Sequence, residues 1–276
     1  MTNKYAISPK EAVLMNTEAL RDNFLLQGLA KADECTLVYT HYDRMIIGGV
    51  MPISKKVELP NDPELRAESF LERREIGIIN VAGNGTVKAG DESFPLSKLD
   101  CLYLAKGTTD VSFSSEDANE PAVFFLLSCP AHHSFKNRLM TKEEASPVNL
   151  GSVETANERT IYKYIHNDGI ESCQLVMGLT VLKNGSVWNT MPSHTHDRRM
   201  EAYFYFDVKQ EHRVFHIMGH PQQTRHLLVA NYEAVVSPPW SIHSGCGTSN
   251  YSFIWGMAGE NKDFTDMDAV NISDIR

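Results

Sequence analysis

The sequence has few cysteines, and its charge is not that of a nucleic-acid-binding protein. Its 276 residues include five cysteines, which are scattered along the chain without a CxxC pair. An odd number of isolated cysteines argues against a disulfide framework and fits a reducing compartment. The chain carries 26 Lys and Arg against 35 Asp and Glu, a formal net charge of −9. This balance disfavours binding to nucleic acids and to anionic membranes, since both need clustered basic residues.

Long apolar segments are also absent. The densest apolar run, Ala122 to Leu127, is far too short to span a bilayer, and its length is typical of a buried strand. The N-terminal stretch MTNKYAISPKEAV lacks the apolar core that a signal peptide requires. Hydrophobic residues make up 42% of the chain, an ordinary share for a globular protein. We therefore expect a cytoplasmic protein with a packed core and no membrane partner.

The order of the local patterns predicts a short helical N-terminus followed by many strands. Ser8 followed by Pro9 is typical of a helix start, and Thr17 is predicted to cap a second helix that runs on through FLLQGLA. From Cys35 onward, short β-rich runs such as CTLVYT, IGIINV and AVFFLLS are separated by Gly, Asn, Pro or Asp. Short strands at this spacing indicate a sandwich or a barrel.

A second series of strands begins near Glu158, after a polar connection at residues 131–153. The two series contain a similar number of short strands, which suggests a duplicated β-barrel. We predict three segments: a helical segment at residues 1–34, a first barrel at residues 35–150, and a second barrel with a C-terminal tail at residues 151–276.

The stretch MPSHTHDRRMEAYFYFDV, residues 191–208, carries the strongest chemical signal. His194 and His196 are two residues apart, so on a strand both imidazoles would project from the same face. The polar residues 197–200 are predicted to form a turn, and Glu201 would begin the returning strand of a hairpin. Two imidazoles and a carboxylate directed at one point are most of a binding site for zinc or another divalent transition metal.

An H-x-H pair is also common on half-exposed sheets, so a further ligand is needed to support a metal site. His243 follows the rigid Pro238-Pro239 turn, after a long apolar strand. Three neutral imidazoles, one carboxylate and an open position describe a catalytic metal site. The predicted metal ligands are therefore His194, His196, Glu201 and His243.

The pattern H-x-H-x4-E followed by P-x4-H resembles the two metal-binding motifs of the cupin superfamily. The resemblance implies a mainly β fold of two tandem cupin-like barrels, each a double-stranded β-helix or jelly roll. In the first half, LDCLYLAKGTTDVSF is similar to the second motif, but Asp110 stands where the family has a histidine. Glu75 of the first half has no histidine partners in the sequence around it. We therefore expect the first barrel to be a degenerate copy without metal.

The resemblance extends to one family within the cupins. The strings YTHYDRMIIGGVMP, SHTHDRRMEAYFYFDV and MGHPQQTRHLLVANYEAVVSPPWSIHSG are similar to the 4-deoxy-L-threo-5-hexosulose-uronate ketol-isomerases, and the similarity covers nearly the whole chain. It implies a zinc enzyme of pectin and uronate breakdown that interconverts 5-keto-4-deoxyuronate and 3-deoxy-D-glycero-2,5-hexodiulosonate. It also implies that the four predicted ligands hold one Zn2+ per chain, and that the protein is a homo-oligomer, a hexamer.

An aldose–ketose isomerisation moves a proton between neighbouring carbons and needs a general base. The sequence does not identify this base, and Glu201 and a metal-bound water are both open. The substrate carboxylate calls for a cationic partner, for which Arg199 and Arg225 are the candidates. Tyr203 is a further candidate for substrate binding, because it shares strand parity with Glu201. Each of these also has a simpler interpretation, as a surface arginine or a core aromatic residue.

Two other functions are compatible with the same ligand set. An iron-dependent cupin dioxygenase would use the same four residues, but it would consume oxygen. A non-enzymatic sugar-binding barrel would keep its ligand after the loss of His196 or His243. Zinc has no redox chemistry, which suits an isomerase and argues against a dioxygenase.

Overall fold

The chain is organised as two pairs of β-sheets with a short helical segment near its N-terminus. The computed structural model describes residues 1–263 and 265–276. Within them, strands account for nearly all of the regular structure, which confirms the predicted mainly β fold. No helix among the described residues combines the length and the apolar character that a bilayer crossing requires.

The first helix begins where the sequence predicts it. Helix α1 (Pro9–Ala12) is capped by Ser8, whose side chain accepts a hydrogen bond from the backbone N–H of Glu11. The Glu11 carboxylate in turn accepts one from the backbone N–H of Ser8, which completes a capping box. Proline at the first helical position costs nothing, because that N–H has no partner within a helix.

The second helix differs from the prediction at both ends. Helix α2 (Thr17–Phe24) is capped by Asn16, whose side chain accepts a hydrogen bond from the Ala19 backbone N–H. Thr17 is therefore the first helical residue, and its prediction as the cap was wrong by one position. The helix also ends before LLQGLA, since β2 (Leu25–Leu26) pairs with β21 (Glu233–Ser237). This pairing gives backbone N–H and C=O groups of β2 hydrogen-bond partners that a longer helix would have supplied within itself.

The first pair of sheets consists of a seven-stranded and a four-stranded sheet. The seven-stranded sheet has the order β1 (Thr2–Lys4), β3 (Cys35–Thr40), β4 (Ile46–Val50), β11 (Phe124–Pro130), β6 (Arg74–Asn80), β9 (Cys101–Leu104) and β12 (Arg138–Met140). The four-stranded sheet has the order β5 (Val57–Glu58), β10 (Val111–Ser115), β7 (Gly85–Ala89) and β8 (Glu92–Leu96).

One hydrophobic core joins these two sheets. Ile78 and Leu126 of the larger sheet and Val87 and Phe113 of the smaller one are at most 1% exposed and belong to a single cluster. Burying an aliphatic or aromatic side chain of this size contributes about 1.5–3 kcal/mol. Two sheets that face each other across a shared core form a β-sandwich or a flattened barrel.

The second pair of sheets repeats this plan. Its seven-stranded sheet has the order β13 (Val148–Leu150), β14 (Arg159–Ile165), β15 (Val176–Leu182), β23 (Ser252–Gly259), β18 (Arg199–Phe206), β21 and β2. Its four-stranded sheet has the order β16 (Trp188–Asn189), β22 (Ile242–Gly247), β19 (Val214–His220) and β20 (Gln223–Val229). A short ribbon pairs β17 (His194–Thr195) with β24 (Asp268–Ala269).

The described residues fall into two compact units whose limits differ from the three predicted segments. The first unit contains Met1–Lys4, Gly28–Ser146 and Lys163–Met177. The second contains Tyr5–Gln27, Pro147–Tyr162 and Gly178–Arg276. The two helices therefore belong to the second unit and do not form a segment of their own. The sequence-based limits follow changes in local pattern, whereas the units follow strand pairing such as that of β2 with β21.

Candidate metal centre

The four predicted ligands meet at one point in the second unit. One ligand atom from each of them lies within 4.8 Å of the others, and all four side chains are buried. The Glu201 Oε2 atom is 3.0 Å from His196 Nε2 and 3.1 Å from His243 Nε2. His194 Nε2 is 3.0 Å from His243 Nε2. Three nitrogen atoms and one oxygen atom at this spacing form the donor set of a zinc or similar divalent-metal site.

The two histidines of the H-x-H pair are held differently from the predicted hairpin. His194 lies on β17, which pairs with β24 near the C-terminus and not with β18. Glu201 lies on β18, between β23 and β21, where it faces Met257 on one side and Ser237 on the other. Strand β18 also begins earlier than predicted, at Arg199. The backbone N–H of Arg199 donates to the His196 carbonyl, which closes a tight turn immediately before the strand. The convergence of the ligands was predicted, but the hairpin was wrong.

His243 is positioned by the proline turn that the sequence indicated. The turn is closed by a hydrogen bond from the Ser241 N–H to the Pro238 carbonyl, and β22 begins at Ile242. His243 is then the second residue of β22, opposite Met218 of β19. The smaller sheet therefore supplies one ligand, and the larger sheet supplies Glu201.

The outer ring nitrogen of each histidine contacts an oxygen atom that fixes the ring. His194 Nδ1 is 2.9 Å from the Pro192 carbonyl, and His196 Nδ1 is 3.0 Å from the Arg199 carbonyl. Since a carbonyl only accepts, both rings carry their proton on Nδ1 and present an Nε2 lone pair to the centre. Lone pairs that face one another at this distance repel unless a cation or a ring proton lies between them. The donor set therefore fits a divalent metal ion.

Ser237 gives His243 the same kind of outer contact. Its Oγ is 3.2 Å from His243 Nδ1. We expect Ser237→Ala to weaken zinc binding by about 10-fold to 100-fold, because outer partners of this kind orient a ligand and fix its tautomer. Competition with a chromophoric chelator measures the affinity. Ser249→Ala, at a serine outside the cavity, is the control, and equal affinities of the two variants would contradict the role of Ser237.

The three imidazoles differ in their affinity for protons. Burial lowers the pKa of His194, and burial together with the neighbouring imidazoles lowers that of His243 well below its usual value. Burial also acts to lower the pKa of His196, but the hydrogen bond and the charge of Glu201 outweigh it, so this pKa is raised. In the metal-free protein, His196 is therefore the ligand that holds a proton at the highest pH.

This difference predicts how metal binding depends on pH. Below the raised pKa of His196, an incoming metal ion must displace one proton, and above that pKa it displaces none from this residue. We expect zinc affinity to fall by about 10-fold per pH unit once the pH drops through this pKa, which lies above the usual value of about 6.5. Calorimetry in buffers of different ionisation enthalpy counts the protons released. Binding without proton release between about pH 6 and pH 7 would contradict the assignment.

A cavity of about 260 Å3 opens next to the ligands. One part of its wall is apolar and includes Phe253, Trp255, Met257 and Met267. The polar part contains three of the metal ligands and a few convergent side chains. The polar lining residues outside the ligand set are Arg159, Thr180, Asn189, Thr190, Arg199 and Tyr203. A cavity with an apolar wall and a few polar groups at one point is the usual form of a small-molecule site.

Arg199 is fully buried and lines this cavity. Its Nη2 donates to the Asp266 carbonyl at 2.9 Å. Its Nε and Nη1 have no hydrogen-bond partner among the described residues. The glycine opposite it in β23, Gly259, leaves space for the side chain, since a Cβ there would lie 2.9 Å from Arg199 Cγ. A buried guanidinium with two free donors is arranged to receive an anion.

The two other residues predicted to bind substrate lie in different places. Tyr203 lines the cavity, where its hydroxyl is 3.2 Å from Thr190 Oγ1. Burial, with the charge of Glu201, raises its pKa well above the usual value, so the phenol stays neutral. Arg225 is not among the lining residues, and its guanidinium donates to the Thr224 and Val13 carbonyls. Its predicted contact with substrate therefore has no geometric support.

The segment at residues 265–276 closes one side of the site and was not foreseen as part of it. Arg198 binds the Asp266 carboxylate through Nε at 3.0 Å and the Asp268 carboxylate through Nη1 at 2.8 Å. The Val270 N–H donates to the Ser193 carbonyl at 2.9 Å, next to the first ligand. The sequence indicated only a polar, acidic tail, because neither the periodicity nor the composition of this segment predicts which residues it contacts.

In the first unit, the carboxylate of Glu75 is bound by protein donors. It is fully buried and accepts hydrogen bonds from the Tyr103 hydroxyl at 2.8 Å and from the Cys173 N–H at 2.7 Å. The backbone N–H groups of Gln174 and Leu175 each donate to it at 2.9 Å. Glu75 thus anchors a loop within its unit, and its oxygen atoms are used for that purpose.

Comparisons with known proteins agree with the geometry. The sequence model of the KduI/IolB family matches residues 24–272. A protein of Shouchella clausii (strain KSM-K16) named 4-deoxy-L-threo-5-hexosulose-uronate ketol-isomerase is 51% identical over 276 residues, which cover 100% of both chains. A protein of the same name from Dickeya dadantii (strain 3937) is 49% identical over 278 residues, again with 100% of both chains covered.

A solved structure shares the fold. The crystal structure of an IolB-like protein from Salmonella typhimurium LT2 matches with a TM-score of 0.69, and the match covers 90% of this chain and 97% of that one. The two sequences are 16% identical, so this likeness concerns the fold alone. The family match and the full-length relatives decide the classification: the chain belongs to the KduI/IolB family.

Proposed function

We propose that this chain is a metal-dependent ketol-isomerase that interconverts 5-keto-4-deoxyuronate and 3-deoxy-D-glycero-2,5-hexodiulosonate. The observation that carries the proposal is the full-length identity of about half to relatives with the ketol-isomerase name. The site supports it, because four metal-ligand side chains and a buried arginine line one cavity. A uronate offers a carboxylate to the arginine and carbonyl and hydroxyl oxygens to the metal.

We propose zinc as the metal, held by His194, His196, Glu201 and His243. A divalent ion in this position supplies Lewis-acid stabilisation of the negative charge that develops on the enediolate oxygens. Zinc suits this role since it has no redox chemistry, and the buried N3O donor set is one that zinc commonly takes in proteins. The same donor set also accepts iron, so the identity of the metal needs direct measurement.

The proton transfer is assigned to residues of the cavity wall. Glu201 is the only carboxylate among the described lining residues, and its Oε2 faces the histidines. We propose that its carboxylate takes the proton from one substrate carbon and returns it to the neighbouring carbon, while the proton of the substrate hydroxyl passes to the former carbonyl oxygen. Tyr203 is neutral, so its hydroxyl can donate a hydrogen bond to the adjacent substrate oxygen. Arg199 holds the substrate carboxylate through its free Nε–H and Nη1–H.

The direct experiment follows the isomerisation of the unsaturated-uronate breakdown product by purified enzyme, with and without chelator. We expect turnover that chelator abolishes and added zinc restores. Oxygen uptake in the presence of bound iron would instead support a dioxygenase. A wild type that binds the sugar without turnover, and whose binding is unchanged by His196→Ala, would support a sugar-binding barrel.

We further propose that the enzyme works in the cytoplasm, in the breakdown of pectin-derived uronates, as a homo-oligomer that is a hexamer. The scattered cysteines and the sequence similarity to the ketol-isomerases support these points. Size-exclusion chromatography with light scattering measures the oligomeric state. A monomer at micromolar concentration would refute the hexamer without affecting the proposed reaction.

A further inference from the structure

Arg159 places a second guanidinium at the cavity. It is the first residue of β14 and lies opposite Leu150 of β13, and both residues line the cavity. Its Nη1 donates to the Asn157 carbonyl at 3.1 Å. Its Nε is buried and has no hydrogen-bond partner among residues 1–263 and 265–276. Nothing in the sequence around Arg159 distinguishes it from an ordinary arginine at the start of a strand.

Arg159 is half-buried, and a buried donor without a partner on its guanidinium is costly, so this arrangement needs a reason. An arginine keeps its charge in proteins, and the cost of burying that charge is recovered only when an anion or an acceptor meets it. Burial lowers the pKa of Arg159. The apolar part of the wall, which includes Trp255 and Met257, offers no acceptor at its side chains other than sulfur.

The charges of the side chains that line the cavity also indicate an anionic ligand. Among the described lining residues there are two arginines and one carboxylate, that of Glu201. Glu201 is engaged by the Nε2 atoms of His196 and His243. Burial and the carboxylates of Glu201, Asp266 and Asp263 act on the pKa of Arg199, whereas burial alone acts on that of Arg159, so Arg159 has no carboxylate counter-ion among the described residues. A ligand that carries its own negative charge would complete the site.

We infer that Arg159 is a specificity-determining residue, whose guanidinium contacts the anionic substrate and, together with Arg199, restricts the cavity to sugars that carry a carboxylate. This inference rests on the proposed function, since it names a further contact for the same substrate. It requires no change in the proton transfer. Arg159 should therefore act on substrate selection and affinity more than on the chemical step.

The kinetic test compares an acid with its neutral analogue. The substrates are the keto-deoxyuronate and the same sugar with its carboxylate reduced to a primary alcohol. For Arg159→Met in the zinc-loaded enzyme, we expect the KM of the acid to rise by about 10-fold to 100-fold, as for the loss of one charge-assisted hydrogen bond, while kcat changes little. We expect the KM of the alcohol to stay within about 3-fold of the wild-type value, so the preference of the enzyme for the acid over the alcohol is largely lost. Unchanged discrimination would overturn the inference.

Two further variants separate selection from a general loss of structure. Arg159→Lys keeps the positive charge but lacks the planar guanidinium, so it should restore part of the discrimination. Arg213→Met makes the same substitution outside the cavity, at a side chain that donates to the Gln210 and His212 carbonyls, and should leave discrimination unchanged. If Arg159→Met fails to fold in a thermal melt, Arg159→Lys decides: a preference for the acid equal to that of the wild type would refute the inference.

A binding measurement distinguishes failure of this inference from failure of the proposed function. Calorimetric titration of the zinc-loaded enzyme with D-glucuronate reports the carboxylate contact without turnover. If the wild type binds D-glucuronate and Arg159→Met binds it at least about 10-fold more weakly, Arg159 has the role inferred even if no isomerisation occurs. If the wild type isomerises the substrate and both proteins bind D-glucuronate equally, the proposed function stands and this inference fails.

Discussion

His243→Ala is expected to abolish both zinc binding and turnover. His243 Nε2 lies 3.0 Å from His194 Nε2 and 3.1 Å from Glu201 Oε2, so its removal leaves a metal ion with three protein ligands and a gap on one side. We expect the zinc affinity to fall by well over about 100-fold, since loss of an outer partner alone costs about 10-fold to 100-fold. Turnover should fall with the metal content. Atomic absorption on dialysed protein and the isomerase assay measure the two effects.

The control for this experiment is His226→Ala. His226 lies on β20, opposite Ile217, and it is exposed and not among the residues that line the cavity. This variant should keep its metal and its activity. A His243→Ala protein that retains turnover after dialysis against chelator would remove the metal from the mechanism. It would then favour a metal-independent reaction carried out by the other residues of the cavity.

The cluster of four candidate ligands could be predicted because three of its residues lie beside strong local signals. The spacing of His194 and His196 and the proline turn before His243 both restrict the direction of a side chain over a few residues. The prediction needed only that the strands that carry these residues meet, and one atom from each of the four side chains does lie within 4.8 Å of the others. The mainly β class followed from the same alternation and turn residues.

The hairpin was wrong because a strand's partner is a long-range property. His194 pairs with Ala269, which lies 75 residues further along the chain, and no local pattern indicates that pairing. The end of α2 was wrong for a related reason. Leu25 continues the apolar pattern of Leu20 and Phe24 that is typical of a helix, but its backbone pairs with Val235. In both cases a tertiary contact determined the local structure.

The roles of the three arginines near the site also depend on long-range contacts that the sequence does not indicate. Arg199, Arg225 and Arg159 are all strand residues with ordinary neighbours in the sequence. Only the structure shows that Arg225 donates to two backbone carbonyls near α1, whereas Arg199 and Arg159 keep buried donors free at the cavity. Composition and spacing identify chemical groups, but the absence of a partner is a property of three-dimensional packing.

Arg199→Met is expected to impair catalysis without loss of stability. Its free Nε–H and Nη1–H are the proposed partners of the substrate carboxylate. Losing them should lower kcat/KM by about 100-fold, since one hydrogen bond to a charged group contributes about 1.5–3 kcal/mol and about 1.4 kcal/mol corresponds to tenfold. The free energy of unfolding should change by less than about 1 kcal/mol, because the loss of one hydrogen bond, to the Asp266 carbonyl, is offset by removal of a buried charge. Steady-state kinetics and urea unfolding measure the two quantities.

Arg74 in the first unit is a matched control for the effect of Arg199→Met on the free energy of unfolding. Arg74 precedes Glu75 at the start of β6, and it is buried with partners: its Nε donates to Ser128 Oγ at 3.1 Å and its Nη2 to the Arg44 carbonyl at 2.6 Å. Arg74→Met removes those bonds and leaves buried acceptors unpaired, so it should destabilise its unit by about 1–3 kcal/mol. If Arg199→Met destabilises the protein as much as Arg74→Met and leaves KM unchanged, Arg199 is structural. If it weakens binding of the acid and spares stability, its buried charge serves the substrate.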